Sequence, residues 1–217
     1  MLIDFRILFP KYNIKPKGVL HIGSNVAEER DVYNELGIKK QIWIEGNAEI
    51  AKTLAKNISS NPEAHSFNAV ISDKCEKVKF NISNNGSQSS SILELGTHSI
   101  VHPTVFYVDT VEVDAITVAH LYEQMKEHEA WFNRDDYDFL NCDLQGAELK
   151  ALMGMNGYLH GFKWAYLEVN KEELYKGCAL VGDIDDYMKN YGFVRVETYW
   201  AGLTGWGDAL YCQKRLL

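Results

Sequence analysis

The segment Gly18-Val19-Leu20-His21-Ile22-Gly23 is a short apolar run closed by a glycine. Such a run reads as a strand buried on both faces, the kind found in parallel sheets. A helical pattern follows from Ser24 through Tyr33 and Leu36, and Gly37 is its expected stop. Gln41-Ile42-Trp43-Ile44-Glu45 reads as a second strand. Ala48 to Ile58 then predicts a helix with Ile50, Ala51, Leu54, Ala55 and Ile58 on one face. Strand, helix, strand, helix is the pattern of a doubly wound α/β sheet.

The middle of the chain is less regular. His65 to Ile71 predicts a third strand, and Lys77 to Ile82 alternates like an exposed or edge strand. Ser83 to Ser91 is a polar loop of turn residues, too short for a domain linker. Val105 to Val113 is β-rich, and Ala115 to Met125 reads as a helix. Alternation then resumes. Tyr137 to Asp143 and Trp164 to Val169 are strands with a carboxylate at or near the C-terminal end. A helix is expected from Ala147 and another over Leu180 to Asn190, with closing strands at Phe193 to Thr198 and Ala209 to Cys212. No internal repeat or boundary is visible. The expectation is one domain over residues 1–217 with an irregular insertion around 77–113.

Composition excludes some classes. The net charge of −8 lacks the basic footprint of a protein that works on nucleic acid or an anionic membrane. No apolar run reaches the ~18–20 residues needed to span a bilayer. The greasy start from Met1 to Pro10 is interrupted by Asp4 and Arg6 and lacks a basic leader, so it is a poor signal peptide. Cys75, Cys142, Cys178 and Cys212 are scattered with no C-x-x-C pair, which fits a reducing, cytoplasmic setting better than a disulfide framework.

In an open parallel sheet, ligands bind beyond the carboxyl ends of the strands, near the switch in strand order. The turn Gly23-Ser24-Asn25-Val26-Ala27-Glu28 departs from the dinucleotide fingerprint G-x-G-x-x-G at its second and third glycines. Asn25 tolerates a positive φ, so the tight turn survives, but the bare backbone that seats a pyrophosphate is lost. Glu28 and Glu29, read as the first helical turn, are also hostile to phosphate; alternatively Gly23 is only a turn and the acids only complement the helix dipole. Glu45 lies 22 residues past Gly23. An acid there accepts the hydroxyls of an adenosine ribose, or is simply a solvated strand end. A ribose acid without phosphate chemistry points to S-adenosylmethionine.

The chain resembles the FkbM-type methyltransferases, a branch of the class I S-adenosylmethionine-dependent enzymes. The resemblance is carried by Val19 to Glu29, Trp43 to Asn47, Asn68 to Asp73, the serines Ser89-Ser90-Ser91, the segment Asp138 to Leu149 and Gly207 to Tyr211. Ala27 stands where the family frequently has glycine. The resemblance implies a seven-stranded, mostly parallel Rossmann-like sheet with an antiparallel last strand, and methyl transfer to oxygen. It further implies that His21, Gly23, Ser24 and Asn25 line the methionine end of the cofactor. Glu45 would hold the ribose with Gly46 and Asn47 close by, and Ala69 and Val70 would approach the adenine.

Asp143 at its strand end faces the reacting centre in such a site, and Glu168 is the natural second carboxylate. A hydroxyl acceptor benefits from a positioned base or Lewis acid. Alternatively Asp143 caps the next helix and Glu168 only supports it. Gln145, the pair His98 and His102, and Trp206 are candidates to touch the acceptor, although a loop histidine pair or a late aromatic often only packs. Two carboxylates permit a divalent metal, but no ligand spacing demands one. The expected acceptor is a sugar or glycan hydroxyl, with a polyketide or other metabolite hydroxyl next. A nicotinamide oxidoreductase and a non-catalytic adenosine-binding module remain the readings of other classes. No nucleic-acid partner or membrane insertion is expected, and a place within a larger multidomain glycan-processing protein stays open.

Overall fold

A computed structural model describes residues 2–217 of the chain. Near the start lies helix α1 (Phe5–Tyr12), capped by Asp4, whose carboxylate accepts from the Arg6 N–H. Phe5, Leu8 and Phe9 recur at helical spacing and are buried, so the apolar start is a packed helix. Strand β1 (Gly18–Ile22) follows as expected, then helix α2 (Arg30–Glu35), strand β2 (Lys40–Glu45) and helix α3 (Ala48–Ile58).

The expected third strand splits in two. Strand β3 (Ala64–Asn68) pairs with β2, while β4 (Val70–Ile71) belongs to another sheet. The break falls at Ala69, where the Asn68 side chain donates to the carbonyls of Glu45 and Gly46 and ends the ladder. Next come β5 (Glu76–Ser83), the four-residue helix α4 (His98–Val101) and β6 (Tyr107–Ile116). The segment expected as an irregular insertion therefore contains two long strands, paired antiparallel. Helix α5 (Val118–His128) starts later than Ala115, because β6 runs on to Ile116 and Thr117 caps the helix through its hydroxyl.

The remaining elements are β7 (Phe139–Cys142), α6 (Glu148–Gly154), β8 (Trp164–Asn170), α7 (Val181–Asn190), β9 (Phe193–Trp200) and β10 (Trp206–Gln213). The main sheet has seven strands in the order β3-β2-β1-β7-β8-β10-β9. All pairs are parallel except those made by β10, which runs antiparallel to both neighbours. The doubly wound α/β expectation, with its antiparallel last strand, is what the chain adopts. A small sheet, β4-β6-β5, sits beside it.

Alternation along the strands explains the two layers. Leu20, Ile22, Ile42, Ile44, Leu140 and Cys142 point to one face and pack against α5, α6 and α7. Val19, Trp43, Phe139, Trp164, Tyr166 and Leu210 point to the other and pack against α1, α2 and α3. Each fully buried large side chain contributes about 1.5–3 kcal/mol, so both faces must be covered for the strands to hold. Strand order reverses between β1 and β7, which puts the ligand crevice over their carboxyl ends. All four cysteines are unpaired, three of them buried. Among the described residues no helix is long and apolar enough to cross a membrane.

Candidate active site

The turn after β1 is built by strand crossing. Gly23 has φ of 76°, and a Cβ there would lie 1.6 Å from the Asp143 carbonyl oxygen. The glycine is needed because the ends of β1 and β7 touch, independently of any ligand. The Gly23 and Ser24 N–H groups both donate to the Ile44 carbonyl. Asn25 and Ala27 then take φ of 45° and 64°, which delays the helix to Arg30. Glu28 and Glu29 thus precede α2 rather than form its first turn.

Glu45 ends β2 beside that turn, nearly buried. Its carboxylate accepts from the Asn25 N–H at 2.9 Å and the Asn47 N–H at 2.7 Å. Burial raises its proton affinity against the opposing pull of these backbone donors. Below the turn, the Asn141 amide donates to the Tyr33 hydroxyl at 2.8 Å, and that hydroxyl sits 3.3 Å from His21 Nδ1. Burial pushes the His21 pKa down to about 3 and lifts Glu29 to about 7. The 4.0 Å approach of Glu29 to His21 is therefore a contact with a neutral imidazole and not an ion pair.

Asp143 follows β7 and is half-buried. Gln145 (φ 54°) and Gly146 (φ 95°) are both left-handed, and this folds the Gln145 amide back over the strand ends. Its Nε2 donates to Asp143 at 2.6 Å and to Glu168 of β8 at 2.9 Å, while its oxygen accepts from the Tyr175 hydroxyl at 2.5 Å. Burial, then repulsion from neighbouring acids, raises the proton affinity of Glu168 strongly; burial also raises that of Asp143. Asp143 does not cap α6. The Glu148 carboxylate closes that turn instead, accepting from the Leu144 and Gly146 N–H groups.

Carboxylate oxygens of Asp143, Glu148 and Glu168 lie within 4.8 Å of one another, a span that a divalent cation bridges. Glu148 is already engaged by two backbone amides, and the Gln145 amide donates to the other two acids. The cluster is thus hydrogen-bonded without a cation.

One cavity of about 380 Å³ joins these parts. His21, Gly23, Ser24, Asn25, Glu45, Gly46, Ala69, Val70, Asp143, Gln145, Glu168, His98, His102 and Trp206 all line it. Asn47 is not among the lining residues; its side chain caps α3 and donates to Ser87. The histidine pair stands on α4 and its C-cap, with ring centroids 4.9 Å apart. Of the late aromatics only Trp206 reaches the cavity. Tyr199 is exposed, and Lys171 lies over the ring of Trp200.

The wall also contains Tyr166, Tyr175, Asp208, Gln88 and the serines Ser87, Ser89, Ser90 and Ser91, which sequence reasoning did not single out as site residues. The serine loop is tied down on both sides: Asn25 donates to the Gly86 carbonyl, and Ser91 to that of Gln145.

A model of the FkbM methyltransferase domain matches residues 18–195, most of the chain. The chain belongs to the FkbM methyltransferase family. None of the curated proteins matches it. Among solved structures, it is similar to the ribosomal protein L11 methylase of Lactobacillus delbrueckii subsp. bulgaricus (TM-score 0.52, 10% identity, 96% of this chain and 76% of that one). It is also similar to M. capricolum TrmK in complex with S-adenosyl-homocysteine (TM-score 0.51, 8% identity, 99% and 70%). At these identities the likeness is one of fold, and it fits the strand order of this methyltransferase.

Proposed function

We propose that this chain is an S-adenosylmethionine-dependent O-methyltransferase acting on a hydroxyl of a sugar or glycan. Methyl transfer follows from the family. The O-acceptor reading is carried by one observation: two carboxylates, Asp143 and Glu168, held together by the Gln145 amide on the cavity wall.

The cofactor is S-adenosylmethionine, and the site suits it. Glu45 ends β2 beside the turn that follows β1, and each of its oxygens accepts one backbone N–H, which leaves capacity for ribose hydroxyls. The acidic residues ahead of α2 offer no anion cradle, and this cofactor carries no phosphate. Ala69 and Val70 give an apolar wall for the base. Bound there, S-adenosylmethionine supplies a methyl group made electrophilic by its sulfonium.

The protein's own task is to orient the acceptor and take up its proton. Two carboxylates in contact with one amide cannot both ionise cheaply in a buried site. One holds a proton and the other accepts the proton that leaves the hydroxyl. The Tyr175–Gln145 hydrogen bond keeps the amide aimed at both. Orientation along the transfer axis contributes several kcal/mol more.

A labelled-methyl transfer assay across free sugars, glycosides and polyketide-type alcohols tests the reading. Label on sugars is the expected result. Label confined to the other alcohols, or absent from every hydroxyl, overturns it.

A further inference from the structure

The amino-acid tail of the cofactor is a zwitterion, and its carboxylate needs a hydrogen-bond donor. Among the described residues no lysine or arginine lines the cavity. The turn after β1 has little to offer, because its amides from Gly23 to Ala27 all donate within the protein. Gly23 and Ser24 donate to the Ile44 carbonyl, Asn25 to Glu45, Val26 to the Asn25 side chain and Ala27 to the Ser24 carbonyl. The Ser24 hydroxyl donates to Ile44 as well. The chain's terminal ammonium acts at His21, Glu29 and Asp143 alike, and a charge felt by three groups does not orient the tail.

A buried relay beside the turn has the direction that is wanted. His21 and Asn141 are neighbours in the β1–β7 ladder, with side chains on one face, and both line the cavity. Tyr33 of α2 joins them. It is fully buried, and its oxygen accepts from Asn141 Nδ2 at 2.8 Å. His21 Nδ1, at 3.3 Å, is the other polar side-chain atom it meets among the described residues. A hydroxyl has one hydrogen to give, and left unpaired at this depth it would be costly. Its acceptor is Nδ1. Glu29 approaches the same nitrogen only to 4.0 Å, too far to hold a hydrogen there. Burial and the terminal ammonium keep the ring neutral, so the ring's own hydrogen belongs on Nε2. The contacts of His21 with Tyr33 and Glu29 are both made at Nδ1, which leaves Nε2 unengaged by them.

We propose that Tyr33 is a positioning residue that fixes His21 as the Nε2–H tautomer, so that the cofactor's tail meets a donor at His21 and an acceptor at Asn141 Oδ1. The carboxylate sits on His21 and the ammonium on Asn141. Asp143, two residues beyond Asn141, places an acid at the ammonium end and matches this direction. The inference rests on the methyl-transfer reading and adds to it the residues that orient the tail.

Two measurements on the full chain test it. In the wild type labelled with ¹⁵N-histidine, His21 (assigned by difference against H21N) should show a pyrrole-type Nε2 and a pyridine-type Nδ1. Calorimetry then compares S-adenosylhomocysteine with 5′-methylthioadenosine, a nucleoside thioether without the amino-acid tail. Y33F should weaken S-adenosylhomocysteine about tenfold, as loss of an oriented donor to a carboxylate allows, and leave methylthioadenosine within about twofold. A pyridine-type Nε2 in the wild type overturns the proposal, because the relay then runs the other way. So does a Y33F variant that binds both ligands as the wild type does, or loses both equally, the latter being the mark of a purely structural tyrosine. These outcomes leave the methyl-transfer reading intact. If Y33F does not fold, the wild-type ring signals decide. A wild type that binds no S-adenosylhomocysteine overturns this proposal and the methyl-transfer reading together.

Discussion

Replacing Gly23 with alanine separates two costs that usually arrive mixed. Gly23 and Gly37 share almost the same left-handed backbone, with φ of 76° and 75°. A Cβ at Gly37 would meet nothing within 4 Å, whereas at Gly23 it would lie 1.6 Å from the Asp143 carbonyl oxygen. G37A therefore carries only the left-handed penalty, about 1–2 kcal/mol. G23A carries that penalty plus the cost of driving β1 and β7 apart where they meet, about 1–3 kcal/mol more by analogy with overpacked cores. The shift also displaces Asp143, so cofactor affinity should fall in G23A and not in G37A. Urea unfolding of both variants, followed by titration with S-adenosylhomocysteine, measures each part. If G23A is no less stable than G37A and binds the product equally well, the strand-crossing explanation of this glycine is wrong.

Other predictions concern single groups. E168Q removes one of the paired carboxylates and should lower kcat by about 10²–10⁴, the usual worth of a positioned acid or base; an unchanged kcat in single-turnover assays would remove Glu168 from catalysis. Glu29 is raised from 4.5 to about 7 by burial, so the native state holds the proton more tightly than the unfolded chain. Its stabilising contribution is full below pH 4.5 and is lost as pH rises through about 7. E29Q should therefore gain on wild type between mildly acid and mildly alkaline pH, by on the order of 3 kcal/mol; parallel stability–pH curves would contradict this. Phe5 is fully buried, with aromatic centroids of Phe9, Tyr33, Phe139 and Tyr166 between 4.9 and 5.9 Å away. F5A should cost about 3–5 kcal/mol in denaturant unfolding, and a cost below 1 kcal/mol would show that α1 does not seal that face.

The sheet and its reactive edge are legible in the sequence because a parallel sheet delivers its strand ends to one side. Gly23, Glu45 and Asp143 each close a short apolar run and Glu168 lies near the end of one, so their convergence follows from period and polarity. Asp208 is different. It faces Glu168 only through the antiparallel register of β8 and β10, and no local pattern encodes that register. Helix α1 is hidden because Asp4, Arg6 and Pro10 interrupt its apolar spacing, though Phe5, Leu8 and Phe9 still mark one face. Gly96 and Pro103 argue against a helix around His98, yet one short turn fits between them. Asn47 adjoins Glu45 through its own N–H, while its side chain caps α3 and donates to Ser87.

The central claim is that Glu45, at the end of β2 beside the turn that follows β1, grips a nucleoside that brings no phosphate. Calorimetry of the wild type and E45A with S-adenosylhomocysteine and with NAD addresses it directly. Wild type should bind the former and ignore the latter, and E45A should weaken binding by at least about tenfold, the loss of one charge-assisted hydrogen bond. NAD bound as tightly as S-adenosylhomocysteine, or an E45A affinity equal to wild type, would contradict it.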